Sequence, residues 1–91
     1  MKYQISNRFK KDLAKISDRK ILIKVRKCLE AVGVSNSLSE IPGLEALRGF
    51  SGYYRIKFDY SYRIGIFWDG EIIQILKIES REGFYKRLFI K

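Results

Sequence analysis

Residues 53–68 of the chain, YYRIKFDYSYRIGIFW, alternate bulky apolar side chains with the cations Arg55, Lys57 and Arg63. Alternate positions of a strand point to the same face of a sheet, so this alternation predicts two paired strands. One face would be apolar and the other would carry all three cations. We call the second surface the basic face. Like charges brought together repel, and such a cluster is therefore typical of a surface that binds an anion.

The register between these two strands follows from keeping the two faces separate. A loop at residues 59–61 places Lys57 directly opposite Arg63. A shift by one residue would mix apolar and charged side chains, which burial disfavours. A shift by two keeps the faces separate but pairs Arg63 with Asp59 in an ordinary salt bridge, and that alternative stays open. In the first register the facing cations cost up to about 1 kcal/mol, which a bound anion would offset.

The basic face also carries aromatic side chains that suit a nucleotide. Tyr53 and Phe67 flank the cations, and Gly65, opposite Arg55, leaves space for a ligand backbone. Aromatic rings beside cations bind an unstacked base next to its phosphate, which is the usual manner of single-stranded RNA recognition. We therefore predict an RNA-binding surface that includes Arg55, Tyr53 and Phe67.

The same cations suggest a way to cut RNA that needs no metal or cofactor. The sequence has no histidine and a single cysteine, so it lacks the commonest acid–base group and any Cys/His metal cluster. Attack by the 2′-OH of RNA on its own phosphate needs positioning, charge stabilisation and proton transfer. Arg63 would stabilise the phosphorane, Lys57 would act as base, and Arg81 or Tyr85 would meet the departing 5′-oxygen.

Two basic helices are predicted ahead of these strands. Ser6 can cap the first, and Ser17 or Asp18 can cap the second, which we expect to stop at Gly33. Between residues 8 and 27 there are nine Lys and Arg residues against two Asp residues. Such a surface is either an ordinary solvated face or a footprint on a phosphate backbone. The cations assigned to RNA binding on the second helix are Lys20, Lys24 and Lys27.

Further strands are predicted at residues 2–5 and near 72–79, with a two-residue Asp-Gly hairpin turn before the last strand. Straight extension of the last strand would put Arg81 on the opposite face, so a bulge or a strand end is needed near Glu79-Ser80 to bring Arg81 to the basic face. The tail, with Phe84, Leu88 and Phe89, would form a short closing helix or arm that covers part of that face. The pattern predicts an α+β fold, with a helical hairpin packed on an antiparallel sheet of about four strands.

The length, the net charge and the apolar segments of the chain indicate its domain count, its partners and its compartment. The 91 residues predict one domain, and a net charge of +9 with a pI near 9.9 favours nucleic acid or an acidic protein as partner. Cys28 is expected to be a small core residue. The N-terminal residues lack the apolar segment of a signal peptide and no run is long enough to span a membrane, so we expect a cytoplasmic protein with no membrane partner.

Four segments carry a resemblance to a known family: LRG at 47–49, YYRIKF at 53–58, YSYRIGIF at 60–67 and ESREGFYKRL at 79–88. In this order and spacing they resemble the RelE/ParE superfamily of bacterial type II toxins. The resemblance covers essentially the full sequence. It implies a RelE-like fold and an antitoxin whose acidic or amphipathic segment wraps the toxin.

The RelE branch of that superfamily implies a ribosome-dependent endonuclease that cuts mRNA in the A site without a metal. The resemblance places its basic residues at Arg55, Lys57, Arg63 and Arg81, and a tyrosine that engages the base at Tyr85. Many relatives have a histidine where Ser80 stands here, and some use a glutamate for which Glu45 is the nearest candidate. The alternatives are a ParE-like toxin that inhibits DNA gyrase and an inactive nucleic-acid-binding relative.

Overall fold

The computed structural model describes residues 1–87. A five-stranded sheet runs in the order β1-β5-β4-β3-β2, in which only the β1–β5 pair is parallel. A single turn of 3-10 helix at Leu38–Glu40 precedes β2. The elements in chain order are β1 (Tyr3–Ile5), α1 (Asn7–Ala14), α2 (Arg19–Val34), β2 (Leu44–Ala46), β3 (Tyr53–Lys57), β4 (Tyr62–Trp68), β5 (Ile73–Ser80) and α3 (Arg81–Arg87).

The predicted α+β class is confirmed, but the sheet has five strands where about four were expected. The additional strand, β2, is three residues long and forms an edge next to β3. No strand was predicted there, because Pro42 and Gly43 stand directly before β2 and both are typical of turns. The predicted C-terminal helix is present as α3, while Leu88 and Phe89 lie outside the described residues.

The two N-terminal helices begin where their capping residues indicate. Ser6 Oγ accepts a 3.0 Å hydrogen bond from the Phe9 N–H, and Asp18 Oδ1 accepts one of 2.9 Å from the Lys20 N–H. The predicted stop at Gly33 is wrong by one residue, since α2 continues to Val34. No helix within residues 1–87 has the length and apolar content needed to cross a membrane.

The hydrophobic core lies between the α1–α2 hairpin and the apolar face of the sheet. Phe9 of α1 and Val25 of α2 pack against Ile56, Ile64 and Ile75 from three neighbouring strands, and each of these side chains is buried. The isoleucines occupy alternate strand positions, as the alternation of residues 53–68 predicted. The basic face is therefore the opposite side of the sheet, and α3 packs on its β4 and β5 part.

The turn between β4 and β5 differs from the prediction. We expected a two-residue Asp-Gly turn, but Trp68 pairs with Ile73 across a loop of residues 69–72. The side chain of Asp69 explains the longer loop, because its Oδ1 accepts 2.8 Å hydrogen bonds from the backbone N–H groups of Glu71 and Ile72. The hydrogen bond from the Ile72 N–H has the larger effect and that from the Glu71 N–H the smaller; together they hold the pKa of Asp69 below its usual range.

The bulge in β5 lies at Leu76, which has no partner in β4. A bulge near Glu79-Ser80 was therefore wrong in position, whereas the alternative of a strand end there is confirmed, since β5 ends at Ser80. A bulge at Leu76 changes the alternation, so that Ile75 and Ile78 both face the core although they are three positions apart. The same change turns the following residues around, and brings Arg81 to the side of the basic face as the prediction required.

Gly43 holds the start of β2 against β3. Its φ is +75°, and a Cβ at this position would collide with the Lys57 carbonyl oxygen, while its own carbonyl accepts a 2.9 Å hydrogen bond from the Lys57 N–H. We expect Gly43→Ala to lower the free energy of unfolding by about 1–3 kcal/mol, because the new side chain meets backbone that cannot move aside. Urea unfolding would measure this loss.

Gly49 provides the matched control for that substitution. It also has a positive φ, +84°, but an added Cβ there meets nothing within 4 Å. Gly49→Ala therefore carries the backbone strain of positive φ without the collision. An equal loss of stability in both variants would contradict the role assigned to the contact between Gly43 and β3.

Candidate nucleic-acid interface

The predicted β3–β4 register is confirmed at every paired position. Lys57 pairs with Arg63, Arg55 with Gly65, and Tyr53 with Phe67. The Tyr53 and Phe67 rings lie 4.7 Å apart between centroids at an interplanar angle of 52°. The three cations and two aromatic residues that define the basic face therefore share one side of the sheet. The alternative register, with an Arg63–Asp59 cross-strand pair, is excluded.

Arg55 is held at the β2 edge of the basic face by an acidic neighbour. Glu45 is its partner in the β2–β3 register, and Glu45 Oε2 lies 3.0 Å from Arg55 Nη2. The pair offsets part of the like-charge repulsion that the sequence predicted. Arg55 Nη1, however, is buried and has no acceptor among the described residues. The ion pair thus leaves one charged, buried N–H donor of Arg55 without an acceptor in this part of the chain.

Arg63 is almost fully buried, with 3% of its surface exposed. Its Nη1 donates to two carbonyl oxygens of the β3–β4 loop, at 2.7 Å to Asp59 and 3.2 Å to Tyr60, and to that of Tyr62 at the start of β4, at 2.9 Å. Its Nε is buried without an acceptor within residues 1–87. Arg63 therefore organises the loop as well as adding charge to the basic face, a second role that the sequence did not indicate.

Lys57 is the exposed member of the cation cluster. No ion pair to its ammonium group occurs within the described residues, and Lys57 is one of the residues that line a groove of about 380 Å³ between α2 and β3. Lys24 and Lys27 of α2 line the same groove. The spacing of Lys20, Lys24 and Lys27 puts them on one side of the helix. Lys24 and Lys27 therefore lie across this groove from β3, on the α2 side of the sheet.

Cys28 also lines this groove, and it is half-buried. Burial raises the pKa of its thiol to about 11. A thiol in this state is protonated and unreactive near neutral pH. The expectation of a core-packing cysteine agrees with these surroundings. Within residues 1–87, no group of three or more His, Cys, Asp or Glu side chains is placed to hold a metal ion.

Asp59 ties the β3–β4 loop to α2. Its Oδ1 lies 2.7 Å from Lys24 Nζ, and its Oδ2 accepts a 2.8 Å hydrogen bond from the Ser61 N–H. The hydrogen bond from Lys24, followed by that from Ser61, holds the pKa of the Asp59 carboxyl below its usual range. Lys24, predicted to contact RNA, thus has a structural partner as well.

The lowered pKa of Asp59 predicts an acid-sensitive contribution to stability. The contribution is complete above the pKa of an unfolded aspartate, about 3.9, and is lost as the pH falls through the lower pKa of the folded state. We expect Asp59→Asn to be less stable than the wild type near neutral pH, and the difference to shrink below about pH 4. Urea unfolding across this range measures the difference; one that is independent of pH would contradict the pairing.

Arg81 and Tyr85 lie one turn apart on α3 and are both exposed. The Arg81 N–H donates a 2.8 Å hydrogen bond to the Ser61 carbonyl, which fixes the start of α3 beside the β3–β4 loop. The Arg81 guanidinium lies 5.4 Å from the centroid of the Tyr60 ring. Tyr85 is 44% exposed and meets Phe84 edge-to-face at 5.3 Å. Arg81 therefore lies at the same loop as Arg63.

Buried charges under α3 were not predicted. Lys77 Nζ lies 2.9 Å from Glu79 Oε1, and Arg8 Nη2 approaches the same oxygen at 2.7 Å. The ammonium of Lys77 also lies 4.8 Å from the centroid of the buried Phe84 ring. These contacts explain why α3 can pack on a charged part of the sheet, because its buried Phe84 meets a lysine that is already paired with Glu79.

Comparisons with known proteins agree with the fold. The family profile described as the ParE toxin of type II toxin–antitoxin system, parDE, matches residues 3–84. A chain of the RelB–RelE antitoxin–toxin complex from Methanococcus jannaschii superposes with a TM-score of 0.78 at 27% identity, over 92% of this chain and 96% of that chain. No curated protein matches in a sequence search.

Two more distant structures show the same fold. YafQ from Escherichia coli strain BL21(DE3) gives a TM-score of 0.73 at 12% identity, over 91% of this chain and 96% of that chain. The conserved hypothetical protein HP0894 from Helicobacter pylori gives 0.61 at 16% identity, over 90% and 96% of the two chains.

Together, the sheet order, the helical hairpin and the family match define a toxin of the RelE/ParE superfamily, as the resemblance implied. The chain belongs to the ParE toxin family of type II toxin–antitoxin systems.

Proposed function

We propose that this toxin is a ribosome-dependent, metal-independent endonuclease that cuts mRNA in the ribosomal A site and thereby stops translation. The observation that carries the proposal is a pair of buried guanidinium donors, Arg55 Nη1 and Arg63 Nε, which have no acceptor among the described residues and belong to the same sheet face. A buried donor left without an acceptor costs about 1–3 kcal/mol, and the cost is higher for charged groups. A phosphate oxygen would supply the missing acceptor.

The proposed reaction assigns one role to each catalytic residue. The 2′-oxygen of the RNA attacks the adjacent phosphorus, and Lys57 is assigned as the base that takes the 2′-OH proton. Arg63 stabilises the charge of the phosphorane. The bond from phosphorus to the 5′-oxygen then breaks, which leaves a 2′,3′-cyclic phosphate and a 5′-hydroxyl end. Arg81 and Tyr85 are assigned to the departing oxygen, Arg81 as a compensating cation and Tyr85 as a hydroxyl donor.

The remaining predicted residues are assigned to RNA binding. Arg55, Tyr53 and Phe67 extend the basic face away from the reacting phosphate, where a cation and two aromatic rings suit the neighbouring nucleotides. On α2, the cations face away from the core, and we assign them to the ribosomal RNA backbone. These cations are Lys20, Lys24 and Lys27.

The partner that inhibits this activity is proposed to be an antitoxin with an acidic or amphipathic segment. The M. jannaschii relative is an antitoxin–toxin complex, and a net charge of +9 on this chain favours an acidic partner. Covering the basic face would block phosphate binding and neutralise the exposed Lys57.

A gyrase-directed toxin is the second candidate, because the matching family profile is that of ParE. A third is an inactive relative, which the serine at position 80 keeps open. Inducing the protein in bacteria and mapping both mRNA ends and gyrase-linked DNA breaks separates these candidates. Cuts inside translated codons, lost when translation initiation is blocked, support the nuclease. DNA breaks with intact mRNA would replace it by the gyrase inhibitor, and neither change would favour the inactive relative.

A further inference from the structure

Tyr60, at the tip of the β3–β4 loop, is the most exposed aromatic ring in the described part of the chain. Its exposure is 76%, compared with 44% for Tyr85 and 40% for Phe50. Neither the sequence pattern nor the proposed reaction gave Tyr60 a role. Single exposed rings are common on protein surfaces, so exposure alone indicates no function. The surroundings of Tyr60 supply further observations.

The backbone that carries Tyr60 is fixed on several sides. Arg63 Nη1 donates to the Tyr60 carbonyl and to the neighbouring Asp59 carbonyl. The Asp59 carboxylate is bound by Lys24 of α2 and by the Ser61 N–H. Cations from two different elements thus hold a short loop whose central side chain makes no contribution to the core. A ring presented in this way loses little conformational entropy when a ligand binds.

A third cation defines one side of the Tyr60 ring. The Arg81 guanidinium carbon lies 5.4 Å from the ring centroid, while most of the ring surface faces solvent. A guanidinium over a ring is favourable by itself, and it also keeps the ring beside a group that binds phosphate. Tyr60 is therefore an open aromatic surface next to Arg63 and Arg81, two of the cations assigned to the reacting phosphate.

We propose that Tyr60 stacks on an unpaired RNA base adjacent to the phosphate that is cut. The proposal rests on the proposed function and extends it, since it adds a base-binding subsite on the side of the phosphate opposite to Tyr53 and Phe67. Aromatic stacking accepts every base, because each base has a π-face. The subsite therefore contributes affinity and positioning without fixing a codon.

The test compares three forms of the full chain on ribosomes programmed with an mRNA whose A-site 2′-hydroxyls are methylated, so that it cannot be cut. Tyr60→Phe keeps the ring, whereas Tyr60→Leu keeps apolar bulk without a π-face. Ile23→Ala, at an exposed apolar position on α2 (55% exposed), is the control. The A-site base carries 2-aminopurine, whose fluorescence falls on stacking. Thermal unfolding checks that each variant folds, with midpoints expected within about 4 °C of the wild type.

The expected result is that Tyr60→Phe and Ile23→Ala bind and quench as the wild type does. Tyr60→Leu should bind about tenfold more weakly, as expected for the loss of one stacked base, and should quench less. Equal affinity and quenching for Tyr60→Leu would overturn the subsite. Weaker binding only to a protein partner, with RNA binding unchanged, would overturn it as well and indicate a protein-binding role.

A parallel assay on cleavable mRNA distinguishes the failure of this inference from that of the proposed function. If the wild type cuts and Tyr60→Leu cuts with the same kcat/KM, the stacking role alone is wrong. If the wild type leaves the mRNA intact, the nuclease and its base subsite are both rejected.

Discussion

Arg63→Ala is expected to reduce A-site cleavage by at least about 100-fold, the usual loss when a preorganised charge-stabilising donor is removed. The same change should lower the free energy of unfolding by about 1.5–3 kcal/mol, because the β3–β4 loop loses hydrogen bonds to a charged group. Both effects follow from one side chain that donates to three carbonyls in the β3–β4 loop and at the start of β4, and that retains a buried Nε donor. Steady-state cleavage on programmed ribosomes and urea unfolding measure them separately.

Two further variants keep these effects apart. Arg63→Lys retains the charge, but an ammonium lacks the fork of donors with which a guanidinium bonds in two directions. Compared with Arg63→Ala, we therefore expect Arg63→Lys to recover more of the stability than of the cleavage rate. Arg26→Ala removes an arginine that is 82% exposed, and its free energy of unfolding should stay within about 0.5 kcal/mol of the wild type. Cleavage must be measured where circular dichroism shows Arg63→Ala to be folded. A folded Arg63→Ala protein that cuts at the wild-type rate would contradict the role of Arg63.

Lys57→Ala is expected to lower the rate of cleavage by about 10²–10⁴-fold, the range for loss of a positioned general base. Its effect on stability should be within about 0.5 kcal/mol, because the side chain is exposed and its ammonium makes no ion pair within residues 1–87. Lys57→Ala is thus expected to change the cleavage rate without changing stability, whereas Arg63→Ala changes both. Single-turnover cleavage and urea unfolding provide the two measurements.

Lys57→Arg tests whether Lys57 acts as a base or as a phosphate-binding charge. Arginine keeps the positive charge but does not lose its proton near neutral pH. We expect Lys57→Arg to bind uncut A-site mRNA with nearly wild-type affinity and to cleave it as poorly as Lys57→Ala. If Lys57→Arg cuts at the wild-type rate, Lys57 is not the base and contributes only its charge.

The part of the fold predicted best from sequence is the β3–β4 pair. Its alternation of apolar and charged residues excludes a register shifted by one, and of the two registers that keep the faces separate the structure has the first, in which Lys57 pairs with Arg63. The β4–β5 hairpin was predicted less well. The Asp69 side chain binds loop N–H groups, and the bulge at Leu76 changes the alternation, so contacts beyond the strand pattern decided the register.

The sequence predicted which residues make up the candidate site, but not which of their side chains are buried. The sequence placed Arg55, Lys57 and Arg63 on one face, and the structure brings them together there. It did not reveal that Glu45 pairs with Arg55, because the edge strand β2 was not recognised. It also could not reveal the burial of Arg63, which depends on loop carbonyls and on the packing of α3. The position of Tyr60 between two strands was a usable signal, since the centre of so short a loop has no core to enter.

The most direct test of the central claim uses purified protein and ribosomes that carry mRNA with an empty A site. The protein is freed of metal before it is added, since the ribosome itself requires divalent ions. We predict a single cut within the A-site codon by the wild type, with a 2′,3′-cyclic phosphate at the new end, and no cut by Lys57→Ala. Intact mRNA with the wild-type protein would contradict the nuclease function, and DNA gyrase would then be the target to assay.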